Sequence, residues 1–320
     1  MPDHVLLTGA SGFVGGKLHG PLTQADHSVR CLSRNLDVAR KRQPTWDWRQ
    51  GDLNGDEEPV LRALSDCAVA YYLVHGMGSS QADWVEKEMA AAERFGKLAT
   101  RAGVGRVIYL GGVAPQGTPS PHLRARLQTG EALRSGSTPC LELRAGMIVG
   151  HGSISWQIVR DLAARLPAMV VPAWLGHRSE PVALADVLSA LTAAATVPLP
   201  GSRWEDLPGP ETLSGYDILL RVARLLGRKP WMLRIPLVTP RLSSHWIRLV
   251  TRADYRIARE LVEGLTCDLV AEKRGFWEVA HVKPMALEQG AQVAFAEEQG
   301  DQTFRAKLLE ALAYRVSRKV

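Results

Sequence analysis

The chain has 320 residues, 46% of them hydrophobic, with 29 Gly and 19 Pro; this fits two domains or one large α/β domain with an added lobe, and excludes disorder as the main theme. The formal net charge of +6 comes from scattered basic residues, clustered only at Arg40-Lys41-Arg42 and Arg318-Lys319 and without interleaved aromatics, so no nucleic-acid partner is expected. No apolar run approaches the ~18 residues that span a bilayer, since Pro167 and Pro172 break the best stretch from Leu166 to Gly176, and no membrane partner is expected either.

Short β-branched runs alternate with helical stretches through the first half, the pattern of βαβ units and a parallel sheet. His4 to Thr8 reads as a first strand with a helix from Gly15 to Gln24 behind it, Ser28 to Ser33 as a second, and Asp37 to Arg42 as helical. Trp46 to Arg49 is a weaker third strand ending at Gly51-Asp52-Leu53, and Val69 to Val74 a fourth. Apolar residues at helical spacing predict a long amphipathic helix over Gln81 to Ala102. A fifth strand follows at Arg106 to Leu110, a helix at Leu123 to Arg134, and a sixth strand from Cys140 to Val149 that runs into the Gly-rich loop Gly146 to Gly152.

Past residue 150 the alternation turns irregular, and Pro-rich joints at Pro198-Leu199-Pro200 and Pro208-Gly209-Pro210 divide the chain into smaller pieces. We expect residues 1–150 to form a dinucleotide-binding domain, with 177–197 returning to it, and 151–320 to form a second lobe for substrate. Helices are expected there at Ser155 to Arg165, Leu184 to Ala195, Gly215 to Leu226, Arg241 to Val250, Asp254 to Glu263 and Gln302 to Arg315. Cys31, Cys67, Cys140 and Cys267 lie far apart with no CxxC pair, which speaks for ordinary buried thiols and against a disulfide framework or a metal site. The start, MPDHVLLTGASG, has no charged segment followed by an apolar run and cleavage site, so the expected compartment is the cytoplasm.

Residues 8 to 15, Thr-Gly-Ala-Ser-Gly-Phe-Val-Gly, place Gly9, Gly12 and Gly15 between a predicted strand and a predicted helix. A dinucleotide site asks for this arrangement: glycine where the turn is tight, where backbone approaches pyrophosphate and where helix packs on strand, with a helix N-terminus aimed at the phosphates. Thr8, Ser11, Phe13 and Val14 belong to the same cradle.

With its GxxGxxG spacing, the chain resembles the short-chain dehydrogenase/reductase superfamily, and within it the atypical, NmrA-like branch of NAD(P)-binding proteins. The resemblance also rests on the strand ends Leu32-Ser33-Arg34-Asn35, Gly51-Asp52-Leu53, Tyr72-Leu73-Val74-His75-Gly76-Met77, Tyr109-Leu110-Gly111-Gly112 and Arg144-Ala145-Gly146-Met147. It covers residues 4 to 195 well and is weaker beyond. It implies a Rossmann-like, doubly wound parallel sheet with a smaller, mostly helical C-terminal lobe, and a cofactor touching Leu53, Leu73, Val74, Gly111, Ala145 and Gly146.

Cofactor choice follows from charge. A carboxylate at the end of the second strand suits the ribose hydroxyls of NAD and repels a 2′-phosphate. Ser28 to Asn35 contains no acid, and Arg34 stands where the resemblance puts a 2′-phosphate-binding arginine, so NADP(H) is the expected cofactor. Asp52 is expected either at the adenine end, as the resemblance implies, or as a turn or cap carboxylate.

The catalytic set departs from the pattern. Typical members of the superfamily carry a Ser after the fifth strand and a Tyr-xxx-Lys on the next helix. Here the strand end reads Gly111-Gly112, and by register His122 and Arg126 hold the Tyr and Lys positions, four residues apart on one helix face. A guanidinium beside His122 would favour its neutral imidazole, and Arg126 could stabilise an oxyanion without shuttling protons. His122 as a helix-start cap and Arg126 as a ribose or carboxylate ligand remain open readings. His75, after the fourth strand, is a candidate proton donor or a loop-ordering residue. Trp156, Trp174, Trp231 and Trp246 suit an apolar pocket or core packing. The expected function is NADP(H)-dependent hydride transfer to a small or medium apolar carbonyl, enone or quinone-like small molecule. The alternative is a non-catalytic NADP(H) sensor or assembly subunit, and a homodimer is compatible with either.

Overall fold

The computed structural model describes residues 4–74, 84–165, 168–234, 260 and 264–300. Its first half follows the predicted alternation. Strands β1 (His4–Leu7), β2 (Ser28–Ser33), β3 (Asp47–Gln50), β4 (Cys67–Tyr72), β5 (Arg106–Gly112) and β6 (Cys140–Ala145) are separated by helices α1 (Phe13–Gln24), α2 (Leu36–Arg42), α3 (Glu57–Leu64), α4 (Trp84–Arg101) and α5 (Pro121–Arg134). Val5, Leu6 and Leu7 have no solvent exposure, as a central strand covered on both faces requires.

All pairings in the main sheet are parallel. From one edge the order is β3-β2-β1-β4-β5-β6, and beyond β6 lies a seventh strand, Arg203–Asp206. The strand order reverses between β3 and β4, so a crevice opens beyond the carboxyl ends of β1 and β4, where open α/β sheets take ligands. One face of the sheet packs Leu18 and Leu22 of α1 with Val187, Ala190 and Leu191 of a later helix, Leu184–Ala193. The other face packs Val60 and Leu64 of α3, Phe95 and Leu98 of α4 and Leu133 of α5. This is the doubly wound layering expected from the sequence.

In the main sheet and its flanking helices, two elements escaped the sequence reading. Helix α3 carries Pro59, which its first turn tolerates because an N–H there has no partner within the helix. The seventh strand reads Arg-Trp-Glu-Asp between Pro/Gly-rich joints and has no apolar alternation; its Trp204 ring is held between Arg144, 4.1 Å from the ring centre, and Lys273, 4.2 Å away.

The smaller lobe is mostly helical. Its core joins Trp156 and Ala163 of helix Ile154–Arg165, Ile218, Val222 and Ala223 of helix Gly215–Leu225, and Leu287, Ala291 and Ala294 of a helix over 287–300 that the sequence reading missed. Short pairings, Ile148–Val149 with Val182–Ala183 and Ala168–Val171 with Trp231–Arg234, tie its segments together. Trp156 is a core residue whose ring lies tilted against Phe295, whereas Trp231 is 77% exposed. The helices expected at Arg241 to Val250 and Gln302 to Arg315, with Trp246, lie outside the described residues, as does all of Asp254 to Glu263 except Glu260.

Candidate functional site

The glycine turn is built from backbone. Gly9 has φ +67°, and a Cβ there would stand 2.4 Å from the Leu73 carbonyl oxygen; a Cβ on Gly15 would stand 2.3 Å from that of Gly9. These two glycines are needed by the turn itself. Gly12 is different: its conformation is extended, the nearest atom to an added Cβ is the Gly9 oxygen at 3.1 Å, and it starts α1 without any side-chain cap. The first N–H groups of α1, from Phe13, Val14 and Gly15, thus have no partner in their own helix and give the crevice an anion-binding end. Thr8 is structural: its hydroxyl donates to the Tyr71 carbonyl at 2.8 Å and accepts from the Leu73 N–H at 3.1 Å, sewing the ends of β1 and β4 together.

A cavity of about 630 Å³ runs from this turn over the ends of β2 and β3. Thr8, Gly9, Ser11, Arg34, Asp52, Leu53 and Val74 line it, so seven of the sequence-predicted cofactor residues share one space. Arg34 and Arg42 stand exposed at this end, and among the described residues neither guanidinium has a hydrogen-bond or ion-pair partner. Asn35 caps α2 by accepting from the Val38 N–H. Asp52 answers to both readings: it lines the cavity, and its carboxylate accepts from the Asn54 N–H at 3.0 Å within its turn. The uncompensated cations, the orphan helix donors and the absence of a Cβ at Gly12 make a cradle that fits an anionic dinucleotide.

At the other end of the crevice the charges are already bonded. The Arg126 guanidinium donates through Nη2 to the Leu110 carbonyl at 3.0 Å and to the Gly111 carbonyl at 2.7 Å, fastening α5 to the end of β5. The Tyr109 hydroxyl donates to the Arg126 carbonyl at 3.0 Å. Arg126 Nε and Nη1 would lie 3.6 Å from a Cβ on Gly112, so the missing side chain there leaves room beside the cation. His122, next to the Ser120 cap of α5, is buried at 6% exposure, and its Nδ1 lies 3.7 Å from Glu260 Oε2. The sequence reading set Arg126 against His122 and did not foresee this acid. Ala145 and Gly146 close the end of β6, and Leu73 that of β4. His75 lies outside the described residues.

Beneath α5 sits a fully buried carboxylate, Glu142, whose Oε1 accepts from Arg144 Nε at 2.8 Å and whose Oε2 contacts Arg134. Gly130 and Gly111 make room for it, since a Cβ on either would approach the carboxylate to 2.4 and 2.7 Å. Burial pushes the thiols of Cys31 and Cys140 up to about 12 and that of Cys67 up to about 11, which keeps all three as protonated packing groups at neutral pH. Among the described residues no helix is long and apolar enough to cross a membrane.

Arg42 and Lys87 also line the cavity and were missed. The signal for Arg42 was present in the Arg40-Lys41-Arg42 run, read only as a surface cluster; α2 turns it back beside Arg34.

The fold is a Rossmann-like, doubly wound α/β sheet with its crevice where the strand order reverses. More narrowly, residues 5–137, from β1 through α5, match the model of the NAD dependent epimerase/dehydratase family. Solved structures share the fold over most of their length. The Citrobacter sp. triphenylmethane reductase complexed with NADP(H) matches with a TM-score of 0.71 at 17% identity, covering 91% of this chain and 99% of that one. A nucleoside-diphosphate-sugar epimerase from Staphylococcus aureus matches with a TM-score of 0.71 at 16% identity and the same coverages, 91% and 99%. MoeE5 in complex with UDP-glucose and NAD matches with a TM-score of 0.66 at 18% identity, covering 94% and 99%. No curated protein matches the chain by sequence.

Proposed function

We propose that the protein is an NADP(H)-dependent oxidoreductase acting on a small or medium apolar carbonyl, enone or quinone-like compound. The observation that carries the reading is the pair of guanidiniums, Arg34 and Arg42, unpartnered among the described residues, on a cavity whose second strand ends without an acid. Their planar forks suit a 2′-phosphate, while the free N–H groups at the start of α1 suit a pyrophosphate. When bound, the nicotinamide supplies hydride to the substrate. Arg126, tethered through Nη2 to two carbonyls and beside the Tyr109 hydroxyl, supplies the positive charge for a developing oxyanion, and His122 holds the proton. Buried Val113, Leu123 and Leu269 pack together behind the first turn of α5, which favours an apolar substrate.

One observation favours a second reading, a protein that binds NADP(H) as a sensor or assembly subunit without turning it over: α5 carries no Tyr-Lys pair. Following NADPH absorbance against a panel of aldehydes, ketones, enones and quinones separates the two. Turnover of one class supports the oxidoreductase; tight NADPH binding with no turnover on any class supports the sensor.

A further inference from the structure

We propose that Glu260, reaching in from the C-terminal lobe, orients the His122 imidazole and stabilises its protonated form, so that the two residues act together as the proton source at the catalytic end of the crevice. The use of the pair rests on the oxidoreductase reading above; the pairing itself rests on geometry. His122 Nδ1 lies 3.7 Å from Glu260 Oε2, with only 7% of the imidazole and 22% of the glutamate side chain exposed. At that depth a carboxylate favours imidazolium more strongly than it would across water. It also decides which nitrogen keeps its proton when the ring is neutral, because Nδ1–H faces the acid.

The opposing charge expected from the sequence is turned elsewhere. Arg126, one turn further along α5, is drawn to the Leu110 and Gly111 carbonyls. Among the described residues, the remaining charged groups on the surrounding elements are few. Arg124 on the same helix is exposed, and α4, packed along α5, brings Lys87 and Glu88 to the cavity wall. The loop from Val113 to Ser120 contains no ionisable side chain. On the segment 264–269, Cys267 packs with Leu123, and Asp268 is engaged by His177 and by Arg178. Among the described residues, Glu260 is the acid that meets the ring.

In the proposed step the Nε2–H bond of the imidazolium breaks as an O–H bond forms on the substrate. The ring becomes neutral and retains its Nδ1 proton against Glu260, whose carboxylate stays ionised throughout. Solvent then returns the Nε2 proton. Glu260 touches no reacting atom in this scheme: it is a positioning residue, and it makes the catalytic end depend on a residue of the lobe.

The test is nitrogen NMR of the full chain labelled at histidine, with His122→Asn assigning the signal, recorded across the range in which histidine titrates, about pH 5–8. In wild type His122 should hold its second proton to higher pH than in Glu260→Gln, where the midpoint should fall by about one pH unit or more. Glu260→Asp, one methylene shorter, should fall between and serves if Glu260→Gln does not fold. A packing role alone would lower the unfolding temperature and leave the titration in place. Superimposable His122 titrations in wild type and both variants would overturn the pairing. An NADPH titration run beside it keeps the two ideas apart: failure of wild type to bind NADPH removes the oxidoreductase reading and the pair's catalytic use, while the spectra alone decide the pairing.

Discussion

At the end of the crevice beside the glycine turn, Arg34 and Arg42 stand exposed and, among the described residues, unpartnered, and α1 begins with uncapped donors; at the other end Arg126 is bonded to two carbonyls and His122 faces Glu260. The same residue type thus does two jobs. An exposed arginine with no protein partner keeps its N–H donors available to a ligand. An arginine that ties a helix to a strand end fixes geometry first and meets ligand only through the groups it has left over. The first end is recognised by residue type and spacing, the second only by what has been brought together in space.

The contrast is broken most severely at its foundation. Glu142→Gln removes the charge that Arg144 and Arg134 share beneath α5, and stability should drop by about 3 kcal/mol or more in urea unfolding, the usual cost of stranding a buried partner. The loss should shrink when Arg144 is neutralised as well. No loss would mean that the cluster does not hold α5.

Next in size, Gly9→Ala combines a positive φ with a contact no Cβ can make, and should cost about 2–3 kcal/mol in the same measurement. Gly12→Val should do the reverse, weakening NADPH binding in calorimetry while leaving the unfolding curve nearer to wild type, because Gly12 has extended backbone at the start of α1 and an added Cβ there would meet the Gly9 oxygen alone, at 3.1 Å. Equal destabilisation at both positions would erase the distinction between turn glycine and ligand glycine.

The smallest effect belongs to the lobe. Bonds from the Arg178 N–H and side chain, aided by His177, hold the Asp268 carboxyl below its usual range. A depressed acid stabilises the fold above its unfolded pKa, about 3.9, and loses that contribution as pH falls through the lower folded value. Asp268→Asn should therefore be less stable than wild type by roughly 0.5–1 kcal/mol at neutral pH, after allowance for solvent screening, and the gap should close in acid. A gap that does not change with pH would assign the effect to packing.

Much of the glycine-turn end of the crevice was legible in the sequence because its structure is local. Gly9, Gly12 and Gly15 announce a backbone conformation, and Arg34 in an acid-free window announces a charge. The order of β1 to β6 was legible for the same reason, each strand being a short apolar run bounded by turns. The seventh strand was not, since four polar and aromatic residues gain strand conformation only from pairing with β6 and from the cations on either side of Trp204. His122 and Arg126 could be placed on one helix face by counting, but Glu260 comes from a distant segment and no spacing points to it. Glu142 is a further case, for nothing in Cys-Leu-Glu-Leu-Arg-Ala says that Gly111 and Gly130 leave a hole for a carboxylate.

The measurement that tests the central claim most directly is a calorimetric titration of NADPH and NADH into wild type and into Arg34→Ala. Wild type should bind NADPH roughly ten- to a hundredfold more tightly than NADH, the worth of charge-assisted hydrogen bonds to a phosphate, and Arg34→Ala should lose most of that preference without losing NADH affinity. Equal affinities in wild type, or a preference for NADH, would contradict the account.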